Sequence, residues 1–210
     1  MIKEQMENIY KNIPLEHIPW NMDTPPEILL YILRTEKIKP CKVLEMGCGA
    51  GNYVIFLAGK GFIATGVDIS ATAIEIAKKS SITKKVKCQF LEANVLGEMT
   101  EVQDTFDFIY DWELLHHIFP EDRVRYVDNV YRLLNKAGHY LSVCFSEDSP
   151  QFGGVGKYRK TPIDTELYFS SESEIASLFK TLFEIEELKT VEIEGKFAPH
   201  KAIYAFLRKS

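Results

Sequence analysis

Cysteine, uninterrupted apolar runs and positive charge are all scarce in this 210-residue chain. Its four cysteines, Cys41, Cys48, Cys88 and Cys144, contain no Cys-x-x-Cys pair and have no histidine ladder beside them. That spacing excludes a zinc finger or ribbon, so no metal site is expected. A chain of this length buries a full core without disulfide staples, and the thiols read as reduced. No apolar run approaches the ~18 residues of a membrane span. The opening MIKEQMENIYKNIP is too polar for a signal peptide, so a cytoplasmic location without a membrane partner is expected. Lys and Arg total 25 against 30 Asp and Glu, and the net charge of −5 weighs against nucleic acid as a partner. Repeats and low-complexity tracts are absent too.

What is present is an ordinary globular balance, 46% hydrophobic and 26% charged, which suits one domain over residues 1–210. From residue 41, short β-branched runs alternate with helical patterns, the rhythm of βαβ units on a parallel sheet. The expected strands are 42–46, 62–67, 86–91, 106–110 and 139–145. The helices between them are 52–58, 71–80 and 122–134. Ser70 reads as an N-cap and Gly138 as the stop of the third helix. A helical cover over 1–40 precedes this core of 41–145, with helices at 2–11 and from Asp23-Thr-Pro-Pro to Lys37. After the core come a long lid-like loop (146–170), then a helix and hairpin (171–210). The fold class is therefore α/β: a doubly wound Rossmann-like sandwich of about seven strands, mostly parallel, with an antiparallel C-terminal hairpin.

One segment concentrates the chemistry. Val43-Leu44-Glu45-Met46 runs as a buried strand into Gly47-Cys48-Gly49-Ala50-Gly51-Asn52, where a helix opens. Glycines there permit positive φ and let backbone amides reach a ligand, and the helix N-terminus favours an anion. Asp68 ends the second strand in Gly66-Val67-Asp68-Ile69-Ser70, a place from which a carboxylate takes both hydroxyls of a ribose. Together they point to an adenosine-bearing cofactor. A dinucleotide fingerprint would need glycine at position 52, which is Asn52. A Walker loop at Gly153–Lys157 fails as well, because Gln151 and Tyr158 stand where it needs glycine and a serine or threonine.

The Gly-x-Gly-x-Gly spacing behind Glu45 resembles motif I of the class I S-adenosylmethionine-dependent methyltransferases. Phe106–Asp111 and the Trp112–His117 segment after it resemble motif IV of the same superfamily. Pro19-Trp20-Asn21, with the Pro120–Tyr126 stretch, is similar to the thiopurine S-methyltransferase and tellurite-resistance group, which has Asp where this chain has Asn21. The resemblance implies S-adenosyl-L-methionine as cofactor, with S-adenosyl-L-homocysteine as product. It implies cofactor contacts from Glu45, Gly47, Cys48, Gly49, Gly51, Asn52, Asp68, Ile69, Asn94, Val95 and Asp111. Asn94 replaces the acid these enzymes usually place against the adenine amine, which leaves a carbonyl without charge for that task.

The acceptor side is expected to be built from Trp20, Trp112, Tyr158 and Arg159, a pocket suited to a small molecule. A thiol or other soft nucleophile needs little base. O- or N-methylation of a metabolite would use Asp111 or His116 as base, with His117 packing structurally. Two other classes stay open on the sequence. One is a cofactor-binding protein without turnover. The other is an NAD-dependent oxidoreductase, disfavoured by Asn52 and by the lack of a Tyr-x-x-x-Lys pair.

Overall fold

Strands with apolar side chains on both faces must satisfy their backbone groups laterally, and here they do so in one seven-stranded sheet. The computed structural model describes residues 2–210. In chain order, α1 (Ile2–Asn12) and α2 (Glu27–Arg34) precede β1 (Lys42–Met46), α3 (Asn52–Gly59), β2 (Ile63–Asp68), α4 (Ala71–Thr83) and β3 (Gln89–Glu92). Then come β4 (Phe106–Trp112), α5 (Pro120–Leu133) and β5 (Leu134–Phe145). A small hairpin of β6 (Tyr158–Lys160) and β7 (Glu166–Tyr168) leads into α6 (Glu172–Phe179), β8 (Phe183–Ile193) and β9 (His200–Lys209). The sheet order is β3-β2-β1-β4-β5-β9-β8, parallel through β5, with β9 running antiparallel to both of its neighbours, β5 and β8.

The order reverses between β1 and β4, where Met46 sits in register with Val67 on one side and Asp111 on the other. That reversal opens a crevice at the carboxyl ends of the strands, the place where sheets of this kind bind ligands. Strand residues alternate between two cores. Leu44, Met46 and Ile109 pack under α5 and α6 with Val127, Val130 and Phe179. Val43, Phe108 and Tyr110 face Ile32, Val54 and Leu57 of α2 and α3. None of the described helices is long and apolar enough to cross a membrane.

Three local expectations change. Gly138 does not stop a helix: α5 ends at Leu133, and Gly138 lies inside β5. A Cβ there would come within 2.9 Å of the Asp107 and Asn135 carbonyls, so the glycine lets β5 close on β4. The helix expected from Asp23 starts only at Glu27, because Pro26 holds extended backbone immediately ahead of it. The stretch 146–170 is not structureless, since β6 and β7 pair across it. Ser70 does cap α4, its Oγ accepting the Ala73 amide at 3.1 Å.

The N-terminal cover is fastened at both ends. Glu7 accepts from Ser70 Oγ and Thr72 Oγ1, each at 2.7 Å, which seats α1 on the start of α4. Lys196, in the turn between β8 and β9, donates to the carbonyls of Leu15, Ile18 and Asn21.

Candidate active site

The crevice is a cavity of about 670 Å³ that reaches from the glycine turn to the N-terminal cover and the β6–β7 hairpin. Its floor follows from the local sequence. Gly47, Gly49 and Gly51 all have positive φ (74°, 51° and 78°), a turn that L side chains resist. Gly49 also needs its missing side chain for space, because a Cβ there would run into the Tyr10 hydroxyl. The Gly49 amide donates to Asp68 Oδ2 at 2.8 Å and the Ser70 amide to Oδ1 at 2.9 Å. Asp68 thus clamps the turn while keeping lone pairs for a ligand. Burial pushes its carboxyl up, and the amides of Ser70 and Gly49 pull it back.

Glu45, Gly47, Cys48, Gly49, Asn52 and Asp68 all line the cavity, as do Ile69, Asn94 and Val95 further along. Glu45 is buried and accepts from the Tyr110 hydroxyl at 2.9 Å. Burial pushes its carboxyl up to about 8, so at neutral pH it is poised to ionise against a cation. An acid of this kind beside a glycine cradle and a clamped aspartate fits the ammonium, carboxylate and ribose of S-adenosylmethionine. Cys48 is buried and its thiol is held well above the ordinary range, which leaves it without nucleophilic character. Asn52 donates to Asn21 Oδ1 at 3.1 Å and to the Met22 carbonyl at 2.9 Å, joining α3 to the cover. The Asn94 side-chain oxygen Oδ1 accepts the Leu96 amide at 3.0 Å.

Other expected site residues lie elsewhere. Gly51 is absent from the lining; it packs, since a Cβ there would meet the Phe90 ring and Ala77. Asp111 is fully buried beneath the cavity floor, not exposed to it. Tyr140 and Tyr126 donate to its Oδ2, and Ser142 donates to Oδ1. Desolvation raises its carboxyl to about 6 and those three hydroxyls oppose the rise. A carboxylate so enclosed does not line the cavity, as both roles expected of it would require.

The adjacent histidines exchange their expected parts. His116 is buried, its Nδ1 takes the Phe145 amide at 3.4 Å, and desolvation keeps it neutral; it does not line the cavity. His117 does line it, edge-on to Trp20 at 5.8 Å between ring centroids, with a buried Nδ1 that has no hydrogen-bond partner among the described residues. Successive residues of a tight turn point different ways, so the pair alone does not say which one turns inward.

On the acceptor side Trp20 and Trp112 line the cavity, whereas Tyr158 and Arg159 do not. Tyr158 is half-exposed and packs edge-on against Phe119 and Tyr168. Arg159 is buried, donating to the carbonyls of Glu147, Ser149, Gln151 and Gly156 and lying 3.9 Å from the centre of the Phe169 ring. It organises the loop from within, and its neighbour Lys160 is the cation that reaches the cavity. Sequence reasoning missed Tyr10 and Glu113. The only signal for Glu113 was its place immediately after the fourth strand.

Comparison with known proteins agrees with this geometry. Residues 43–138 match the methyltransferase domain family. Over 167 residues the chain is 25% identical to a probable thiol methyltransferase 2 of Arabidopsis thaliana, covering 75% of this chain and 73% of that one. It spans between 57% and 73% of the length of four curated relatives it matches. Among solved structures, a chain from work on the conversion of a disulfide bond into a thioacetal group during echinomycin biosynthesis superposes with a TM-score of 0.83 at 20% identity. That match covers 100% of this chain and 93% of the other. A SAM-dependent methyltransferase of Methanosarcina mazei gives a TM-score of 0.72 at 21% identity, covering 90% and 99%. These structural likenesses carry the fold. Together the glycine turn, the match to the methyltransferase domain family and the methyltransferase relatives indicate an S-adenosylmethionine-dependent methyltransferase that uses that cofactor.

Proposed function

We propose that this enzyme methylates a small molecule at a soft nucleophile, a thiol being the first choice. One observation carries the reading: the cavity that holds the glycine turn and Asp68 continues without a break to Trp20, Trp112 and His117 beneath the N-terminal cover. Its volume of about 670 Å³ is the size of a small-molecule site, whereas a protein surface or duplex would need an open groove. The thiol methyltransferase relative supports the choice of acceptor atom.

When bound, S-adenosylmethionine supplies a methyl group already activated on a sulfonium. The chain's own residues then have three tasks. Gly49, Asp68 and Glu45 would hold the cofactor by its polar parts. Trp20 and Trp112 would position an apolar acceptor and keep water out, so that alignment supplies most of the rate. Gln5, which donates to the Asp164 carbonyl at 2.8 Å, joins α1 to the loop between β6 and β7 and closes the roof. The deciding experiment is calorimetric titration with S-adenosylhomocysteine, followed by mass spectrometry of a small-thiol panel incubated with methyl-labelled cofactor. Binding with label transferred to thiols is expected. Label on protein or RNA alone would overturn the acceptor class.

A further inference from the structure

We propose that Glu113 and His200 form an acid–base dyad on the acceptor side of the cavity, with Glu113 as the group that takes the acceptor's proton. The inference rests on the small-molecule reading above and specifies its acceptor: a neutral nucleophile that carries a proton, not a preformed inorganic anion.

Glu113 lines the cavity beside Trp112 and His117. Its Oε1 is 2.6 Å from His200 Nε2. An ionised carboxylate can only accept, so this bond places the imidazole proton on Nε2. Among the described residues, no donor is paired with Oε2, and that atom is not among the buried unpaired ones, so it is accessible on a residue that lines the cavity. The dyad therefore has an inner member that reaches the cavity and an outer member that orients it.

Two features fix its geometry. Glu113 has φ of +60°, a left-handed conformation that a non-glycine residue resists, and its amide donates to the Val143 carbonyl at 2.9 Å. The backbone thus leaves strand geometry directly after β4, and asparagine or glycine would adopt that conformation more easily. His200 is buried, its ring centroid 4.5 Å from that of Phe145. On its other side a Cβ at Gly195 would come within 2.9 Å of its Nδ1, so the ring occupies space that this glycine leaves free. An imidazole wedged in this way is a positioning residue with one orientation.

The step balances simply. A lone pair of the acceptor atom bonds to the methyl carbon as the carbon–sulfonium bond breaks, and that bond's electrons stay on sulfur. The acceptor's proton passes to Glu113 Oε2 and later to solvent. A negative carboxylate in the same place repels halide or thiocyanate.

The test uses the full chain saturated with S-adenosylhomocysteine, and separately loaded with labelled S-adenosylmethionine and four probes: benzyl mercaptan, phenol, thiocyanate and iodide. Proton NMR of the saturated protein should show a downfield imidazole N–H resonance that is absent from His200→Gln and shifted in Glu113→Gln. Benzyl mercaptan or phenol should be methylated in preference to the anions. Glu113→Gln should lower kcat about 100-fold, the scale of general-base catalysis, with KM for the probe and Kd for S-adenosylhomocysteine within about twofold. His200→Leu should share the loss in kcat, and His200→Gln, which keeps an N–H donor, should recover most of it. Failure to bind S-adenosylhomocysteine would remove the proposed function itself. If binding is intact, the dyad alone is overturned by a missing N–H resonance, by wild-type kcat in Glu113→Gln, by preference for the anions, or by no methylation of any probe.

Discussion

The Asp68 carboxylate accepts the Gly49 amide at 2.8 Å, so the tip of the second strand holds the glycine turn that follows the first. The residue that would take the ribose is also the clamp of the turn that would cradle the rest of the cofactor.

Asp68→Ala should consequently cost more than a ligand contact. Two buried amides, of Gly49 and Ser70, lose their acceptor, which costs on the order of 1–3 kcal/mol each where water does not replace it. Loss of the ribose contacts should weaken binding of S-adenosylhomocysteine by about 2–4 kcal/mol. Thermal denaturation and calorimetric titration separate the two effects. Unchanged affinity in a folded variant would remove Asp68 from the cofactor site.

Gly49 and Tyr10 should be energetically coupled. Gly49→Ala places a methyl group against the Tyr10 hydroxyl and adds left-handed strain of about 1 kcal/mol. In a Tyr10→Phe background only the strain remains, so the same substitution should cost less there. A double-mutant cycle on stability reads this difference directly, and strict additivity would place Tyr10 away from the turn.

Glu45 gives a pH dependence with a definite sign. Its carboxyl is raised by burial to about 8 in the free protein, and an ammonium would draw it into the ionised form. Binding of S-adenosylhomocysteine should therefore release a proton and tighten as pH rises from 6 to about 8. Glu45→Gln should bind more weakly, with a flat profile over that range. Calorimetry in buffers of different ionisation enthalpy measures the proton count.

His117 should make the fold sensitive to acid. Burial lowers its pKa from 6.5 to about 4, so its neutral form is favoured in the folded state. Its contribution is complete above 6.5 and is lost as pH falls towards 4, where the unfolded chain binds the extra proton. His117→Asn should reduce the fall in Tm over that interval, with His116 sustaining the remainder in the same direction.

Asp111 should behave as a core residue. Asp111→Ala leaves the hydroxyls of Tyr126, Tyr140 and Ser142 without their shared acceptor. The expected loss is on the order of 3 kcal/mol or more in stability. Binding of S-adenosylhomocysteine by the folded fraction should change little, and urea unfolding alongside titration checks both.

The sequence by itself determined the sheet, the cofactor class and the position of the glycine turn. These are properties of short contiguous segments: alternating apolar runs, glycines at fixed spacing before a helix, and an acid at the next strand's end. Periodicity and backbone freedom are written locally, so β1 begins and ends where the pattern places it and α1 starts there and runs one residue further. Side-chain direction is not written that way. Asp111 is turned inward to three hydroxyls from two other elements, and of two adjacent histidines only His117 lines the cavity. Arg159 meets four carbonyls of its own loop, whereas Glu113 meets His200 from the far end of the chain. Only the tertiary structure decided these, because each depends on which distant partner satisfies a polar group once water has been removed from around it.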